Sequence, residues 1–289
     1  MTARETPIAD SKLDRGLLTY NSPEVAQCYA AMNYLTLCEQ LLFDAYLKPG
    51  MAILDLGVGG GRTTPYLSSI AGRYVGVDYA SEMIAACRKK FPQLEFETAN
   101  VADMSNFSSQ GFDAAVMAFN GMDSMIPDES RFRALREIGR VLKPEGILIF
   151  SSHNPRSIWV RASWNPQRVR DLAKTIVAND SVFFRPLLWS LILTRVTLAG
   201  LQAVVRSLGR SVRRLLTRAF WQGEGYWWDP AHGGMETHLA VPKRVSRELG
   251  AFGFRLLHVL GDDYPRTSRL YVTDWYYYVF SKTEATREK

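Results

Sequence analysis

The stretch ILDLGVGGGRTTPYL at residues 53–67 decides the fold. Its first four residues, Ile53 to Leu56, are a short run bounded by turn formers, as expected of a strand buried on both faces of a parallel sheet. Gly57, Gly59 and Gly61 follow in alternation, with Gly60 between the last two. Glycine admits positive φ and lets a ligand approach the backbone closely. In a parallel sheet, ligands lie beyond the carboxyl ends of the strands, where the strand order reverses. Two phosphate-binding patterns fail here. A G-x-G-x-x-G fingerprint begun at Gly57 would need glycine at Arg62, one begun at Gly59 would need it at Thr64, and no G-K-[ST] follows. What remains is D-x-G-x-G-x-G, with Asp55 two residues before the first glycine. An acid there suits a ligand carrying an amino-acid ammonium better than a pyrophosphate.

Outward from this loop the chain alternates strand and helix. Residues 24–47 have helical spacing and are stopped by Lys-Pro-Gly at 48–50. RYVGVDYA at 73–80 reads as a strand ending at Asp78, and SEMIAACRKKF at 81–91 as a helix that Ser81 can cap. LEFETANVADM at 94–104 is a strand and loop, FDAAVMAFN at 112–120 a fourth strand, ESRFRALREIGRVL at 129–142 a helix, and ILIFSSHN at 147–154 a fifth strand. The order β-α-β-α-β-β-α-β implies a parallel sheet with right-handed crossovers. Residues 156–225 break the rhythm, after which one helix and two strands complete the sheet. The expected fold is α/β, Rossmann-like and doubly wound, with a mainly parallel seven-stranded sheet and a helical insertion after the fifth strand.

Composition is compatible with this. In 289 residues the hydrophobic fraction is 47% and the charged fraction 22%, values of a soluble globular chain. Cys28, Cys38 and Cys87 are scattered and match no metal-ligand spacing, which suggests a reducing, cytoplasmic setting. The polar, acid-bearing first residues do not read as a targeting segment. Charge is uneven. Residues 156–220 hold twelve Lys or Arg and two Asp, a net +10, so the rest of the chain stands at −4 within the total of +6.

Four motifs together resemble the class I S-adenosylmethionine-dependent methyltransferases. LDLGVGGG resembles the family's first motif. VGVDYASEMI is similar to the second, in which an acid ends the next strand and can accept both ribose hydroxyls. NVADM resembles the adenine-contacting motif, and FDAAVMAFNGMDSM with LREIGRVLKPEGILIFSSHN matches the fourth and fifth strands with the helix between them. The resemblance runs through residues 24–154 and, more weakly, from Leu239 onward. It implies S-adenosyl-L-methionine as cofactor, with Asp55, Gly57, Gly59, Gly61, Asp78, Tyr79, Met83, Asn100, Val101, Ala102, Asp103 and Asn120 as its contacts. Thr63 and Thr64 depart from the small residues usual after the loop. The fourth strand lacks N-P-P-[YF], which argues against methylation of amide or adenine nitrogens.

The expected reaction is methyl transfer to a hydroxyl of a small or lipid-linked acceptor, such as a sugar or secondary metabolite. N- or C-methylation, or a non-catalytic cofactor-binding subunit, are the alternatives. A base helps when the acceptor is a hydroxyl. His153 ends the fifth strand, and His232 stands among Tyr226, Trp227, Trp228, Gly233 and Gly234, so these two are the candidates. His238 and His258 read as structural. Asp123 and Asp128 lack the accompanying acid and amide of a catechol-type metal site, and no metal is expected.

On a helix, Arg185, Arg195, Arg206, Arg210, Arg213, Arg214 and Arg218 share a sector of roughly 140°, opposite a leucine- and valine-rich side. Such a stripe suits an anionic membrane surface reached through residues 185–221, or packing on the chain's own domain or on a second subunit of a homodimer. Nucleic acid is not expected, because no aromatic platform interleaves the basic residues. The domain expectation is a helical cap at 1–50, the cofactor core at 51–155, the basic insertion at 156–225 and completion of the sheet at 226–289. The expected location is cytoplasmic, with peripheral attachment to a membrane.

Overall fold

The computed structural model describes residues 16–156, 218–229, 235–262, 264–265, 270 and 273–283. In chain order these form α1 (Pro23–Ala30), α2 (Leu37–Tyr46), β1 (Ala52–Leu56), α3 (Thr64–Ile70), β2 (Arg73–Asp78), α4 (Ser81–Lys90), β3 (Glu95–Thr98) and β4 (Phe112–Met117). A 3₁₀ turn at Gly121–Ser124 leads to α5 (Asp128–Val141) and β5 (Leu142–His153). After residue 217 come α6 (Arg218–Gln222), β6 (Glu224–Asp229), β7 (Met235–Ala240), α7 (Pro242–Ala251), β8 (Phe254–Gly261) and β9 (Trp275–Lys282).

Seven strands make one sheet in the order β3-β2-β1-β4-β5-β9-β8. β1 to β5 are parallel; β9 runs antiparallel to both β5 and β8. Strand order reverses between β1 and β4, so the crevice lies above their carboxyl ends, beside the glycine loop. Alternation along the strands sends Leu54, Leu56, Val75 and Val77 into one buried cluster and Ile53, Ala114 and Val116 into the other. Both faces of the sheet are therefore covered, which is why its central strands carry so few polar residues. β6 and β7 pair separately as an antiparallel ribbon.

Three sequence expectations need correction. The helix expected over residues 24–47 is two helices, because Thr36 starts a new one. Thr36 Oγ1 accepts from the Glu39 N–H at 3.2 Å, and Glu39 Oε2 accepts from the Thr36 N–H at 2.8 Å, a reciprocal cap. Ser81 does not cap α4. Asn21 does so from outside the helix, its Oδ1 accepting from the Glu82 N–H and from Ser81 Oγ, each at 3.1 Å. The fourth strand ends at Met117, because Phe119 (φ 59°) and Asn120 (φ 62°) adopt the left-handed conformation. Residues 157–217 lie outside the described residues, and with them nearly all of the arginine stripe. Among the described residues no helix is long and apolar enough to cross a membrane.

Candidate active site

The glycines after β1 serve two surfaces. Gly57 (φ 62°) borders a cavity of about 400 Å³, and a Cβ there would meet nothing within 4 Å. Gly60 faces away from β1 onto α1, where a Cβ would come within 2.2 Å of the Ala30 nitrogen. Gly61 (φ 78°) packs on Phe91, Thr64 and Cys87. The bare backbone at Gly57 is thus open to a ligand, while the next glycines clamp the loop between α1 and α4.

The second element is Asp78, at the end of β2 and 6% exposed. Its Oδ2 accepts from the Gly59 N–H at 2.9 Å, and its Oδ1 accepts from the Ala80 N–H at 3.0 Å. The Tyr79 N–H is a third backbone partner of this carboxylate, and the acceptor capacity left over is open to a ligand. Burial raises the Asp78 pKa, and the N–H groups of Ala80, Gly59 and Tyr79 partly offset this. Gly57, Asp78, Tyr79, Asn100, Val101 and Ala102 line the cavity together. The Asn100 Oδ1 accepts from the Ala102 N–H at 2.9 Å, which fixes the turn that presents them.

The remaining residues of the expected cofactor set lie outside this lining. Asp55 is 1% exposed and accepts at Oδ2 from Thr63 Oγ1 and from the Tyr74 hydroxyl, each at 2.8 Å; burial pushes its pKa up to about 6. Gly59 and Gly61 shape the loop from behind. Met83 packs with Ala26 and Ala80 in a small core. Asp103 is exposed, its carboxylate accepting from the Ser105 N–H at 3.3 Å.

Asn120 and His153 stand one step behind the cavity wall. Asp123 Oδ2 accepts from the His153 backbone N–H at 2.8 Å and pairs with Nδ1 at 2.7 Å. A carboxylate only accepts, so Nδ1 carries the proton and the neutral ring's Nε2 accepts from Asn120 Nδ2, 3.2 Å away. The Asn120 N–H donates to Ser151 Oγ at 2.8 Å, and Asn120 Oδ1 is buried with no partner among the described residues. His153 thus has both ring nitrogens engaged and is not part of the cavity lining. His232 lies outside the described residues. His238 is buried on β7, which lowers its pKa to about 4, and His258 is exposed on β8, paired with the Tyr46 hydroxyl at 3.0 Å.

Of the far wall, the sequence singled out only Trp228, as a neighbour of His232. Met117, Ser124, Met125 and Ile126 line it from the end of β4 and the following turn, and Trp228, Met235 and Glu236 from the β6–β7 ribbon. The signal was present as period-two alternation in GYWWD and METHLA, but pairing across residues 230–234 is not visible locally.

Residues 53–146 match the model of a methyltransferase domain. The chain is 35% identical over 95 residues to a demethylmenaquinone methyltransferase of Chlorobaculum parvum, covering 32% of this chain and 37% of that one. It is 25% identical over 216 residues to the human mitochondrial ubiquinone biosynthesis O-methyltransferase, covering 72% and 54%. The alignments with its curated relatives span about half of those proteins or less. Among solved structures, a putative S-adenosylmethionine-dependent methyltransferase from Listeria monocytogenes superposes with a TM-score of 0.53 at 15% identity, over 85% of this chain and 98% of that one. Residues 53–146 are a methyltransferase domain, and the sheet that contains them has the fold of solved S-adenosylmethionine-dependent methyltransferases. The cavity residues fit that cofactor: an open glycine backbone, a buried carboxylate at the end of β2, and a small apolar turn at Val101–Ala102.

Proposed function

We propose that the chain transfers the methyl group of S-adenosylmethionine to a hydroxyl of a small or lipid-linked acceptor with an apolar body. The observation that carries this reading is the continuity of the cavity. One half presents Gly57, Asp78 and residues 99–102; the other is walled by Met117, Met125, Ile126, Trp228 and Met235. Apolar walls with few polar groups suit a ring or chain better than an unmodified sugar. A relative named as an O-methyltransferase of ubiquinone biosynthesis weighs in the same direction, and one named for demethylmenaquinone weighs for an apolar ring without bearing on the atom methylated. So does the +10 segment, which suits an acceptor held at an anionic surface.

S-adenosylmethionine supplies a methyl group on a positively charged sulfur, so the protein's task is to position and desolvate the acceptor. Asp78 would hold the ribose hydroxyls through the acceptor capacity its backbone partners leave. Residues 100–102 would hold the base. Asn120, held by Ser151 and His153, fixes the backbone between the two halves.

Calorimetry with S-adenosylmethionine and Asp78→Ala tests the cofactor half. The substitution should cost about 1.5 to 3 kcal/mol of affinity, the scale of a hydrogen bond to a charged group, with the thermal midpoint retained. Unchanged affinity removes Asp78 from this role. Release of S-adenosylhomocysteine with apolar phenols, and assignment of the new methyl by NMR, tests the acceptor half. A methyl found only on carbon or nitrogen overturns the O-methylation reading.

A further inference from the structure

Tyr79 follows Asp78 directly after β2 and lines the cavity. Its ring is braced from the N-terminal side. It meets the Tyr20 ring edge to face at 6.3 Å, and Tyr20 meets Tyr29 of α1 in the same manner at 5.9 Å. Such edge-to-face pairs fix the orientation of a ring as well as burying its area. Gly16 locates the other end of the side chain. A Cβ on Gly16 would stand 3.1 Å from the Tyr79 hydroxyl and 3.9 Å from Met235 Sδ. The residue thus begins beside Asp78 in the cofactor half, and its hydroxyl ends near Met235 of β7, on the wall of the acceptor half. That hydroxyl has no hydrogen-bond partner among the described residues. Burial, and the charge of Asp78 beside it, drive it above its ordinary range, so it stays protonated and able to donate.

Resting on the O-methylation reading above, we propose that the Tyr79 hydroxyl selects the acceptor: it donates a hydrogen bond to an acceptor oxygen other than the one that is methylated. A donated hydrogen bond draws electron density from the oxygen that receives it, so the attacking oxygen would be the wrong recipient. The acceptor class is thereby narrowed to an apolar ring carrying a second oxygen, as hydroxyl, carbonyl or ether, besides the hydroxyl that takes the methyl group. Met117, Met125, Ile126 and Met235 give that ring apolar contact but hold no side-chain donor. An oxygen taken into such surroundings loses its water and needs a donor in exchange. Two other hydroxyls border the cavity. Ser124 Oγ donates to the Gly121 carbonyl at 2.8 Å and is committed there. Ser130, on the first turn of α5, accepts at Oγ from Arg133 at 3.2 Å and keeps its own proton to donate, so it serves as the comparison in the test.

The test uses the full chain with 4-hexylresorcinol and 4-hexylphenol, two apolar phenols that differ by one hydroxyl. Calorimetry reads the affinity of each for the S-adenosylhomocysteine complex, and release of S-adenosylhomocysteine reads kcat/KM. The wild type should favour the resorcinol. Tyr79→Phe, which keeps the ring, should shrink that preference about fivefold, the worth of an ordinary hydrogen bond. Its S-adenosylmethionine affinity should stay near wild type. Gly16→Ala, which sets a methyl group 3.1 Å from the hydroxyl, should shrink the preference as well. An unchanged preference in Tyr79→Phe overturns the proposal, and so does a preference that only Ser130→Ala removes. A fall in S-adenosylmethionine affinity as large as that for the resorcinol places the hydroxyl on the cofactor and overturns it too. A wild type without any preference, binding of neither phenol included, does the same. Should Tyr79→Phe melt early, an unchanged preference in Gly16→Ala overturns the proposal instead. Should the wild type bind the phenols and methylate neither, the O-methylation reading fails, and the binding preference still decides the role of Tyr79.

Discussion

The two halves of the cavity are built by different means. The cofactor half is made of backbone. Gly57 leaves room, Gly59 and Ala80 donate N–H groups to Asp78, and the glycines behind the loop fit against α1 and α4. Nearly all of it lies within the 50 residues that follow β1. The acceptor half is made of side chains brought from the end of β4, the first turns of α5 and a ribbon about one hundred residues further on. A site built from backbone is tied to local conformation and is hard to alter without loss of the fold. A site built from side chains on a separate ribbon can change its specificity while the sheet stays intact.

The comparison can be broken hardest at Glu39. This residue, 3% exposed, pairs through both oxygens with Arg62 of the glycine loop at 2.5 and 2.7 Å, while also closing the cap of α2. Arg62 continues to the ring of Phe119, 4.9 Å from its centroid, at the boundary of the acceptor half. Removing one partner of a buried pair leaves the other charge uncompensated, which costs about 3 to 5 kcal/mol. Arg62 keeps the Tyr34 carbonyl at 2.9 Å, so Glu39→Ala should fall at the lower end. Urea unfolding measures it. A loss below 1 kcal/mol would mean that the loop holds its shape without the N-terminal helices.

A smaller effect with a defined pH dependence comes from Asp55. Burial pushes its carboxyl up to about 6 in the fold, from an ordinary value of 3.8. A group with a raised folded pKa contributes stability below its unfolded pKa and loses it as pH rises through the folded one. Between about pH 4 and 6 the chain should therefore lose up to about 3 kcal/mol through this group, at 1.36 kcal/mol per pKa unit. Asn at this position can still accept from Thr63 and Tyr74. Asp55→Asn should accordingly equal or exceed wild-type stability at pH 8 and be less stable relative to it at pH 4. It should also bind S-adenosylmethionine more weakly, since a buried negative charge beneath the loop favours a cationic ligand. A variant destabilised by the same amount at both pH values would show that Asp55 is not the source of the slope.

These effects also explain what the sequence disclosed. The sheet was legible because its parallel strands are buried on both faces and read as apolar runs, and because Gly57 and Asp78 occupy fixed places at the ends of β1 and β2. The break at residues 31–36 was hidden because Thr36 and Glu39 form their cap inside a sequence that keeps helical spacing. Asn21 as the cap of α4, and Asp123 as the partner of His153, were not legible because each reaches its target from a different segment. His153 stood out because it ends a strand at the rim; its ring nitrogens meet Asp123 and Asn120, and it does not border the cavity. Glu236 has no motif, and only the register of β6 with β7 brings it to the cavity.

The smallest expected effect separates the two candidate roles of His153. As a positioning residue it holds Asn120 through a hydrogen bond of 3.2 Å, and Asp123 holds the ring. Losing that hold should cost about 1 kcal/mol, the net worth of an ordinary hydrogen bond, or several-fold in rate. His153→Gln and Asp123→Asn should then lower turnover to similar extents, because both release the same amide. The double variant should be no worse than the more damaging single one, since residues in one network are not additive. Any acid limb of the wild-type rate profile should persist in all three, because a ring that only positions Asn120 takes no proton from the acceptor. A loss of 10²-fold or more in His153→Gln, with that limb gone, would instead make the histidine the base. The acceptor half would then extend behind Asn120 to the end of β5, and the division between a backbone-built and a side-chain-built half would have to be redrawn there.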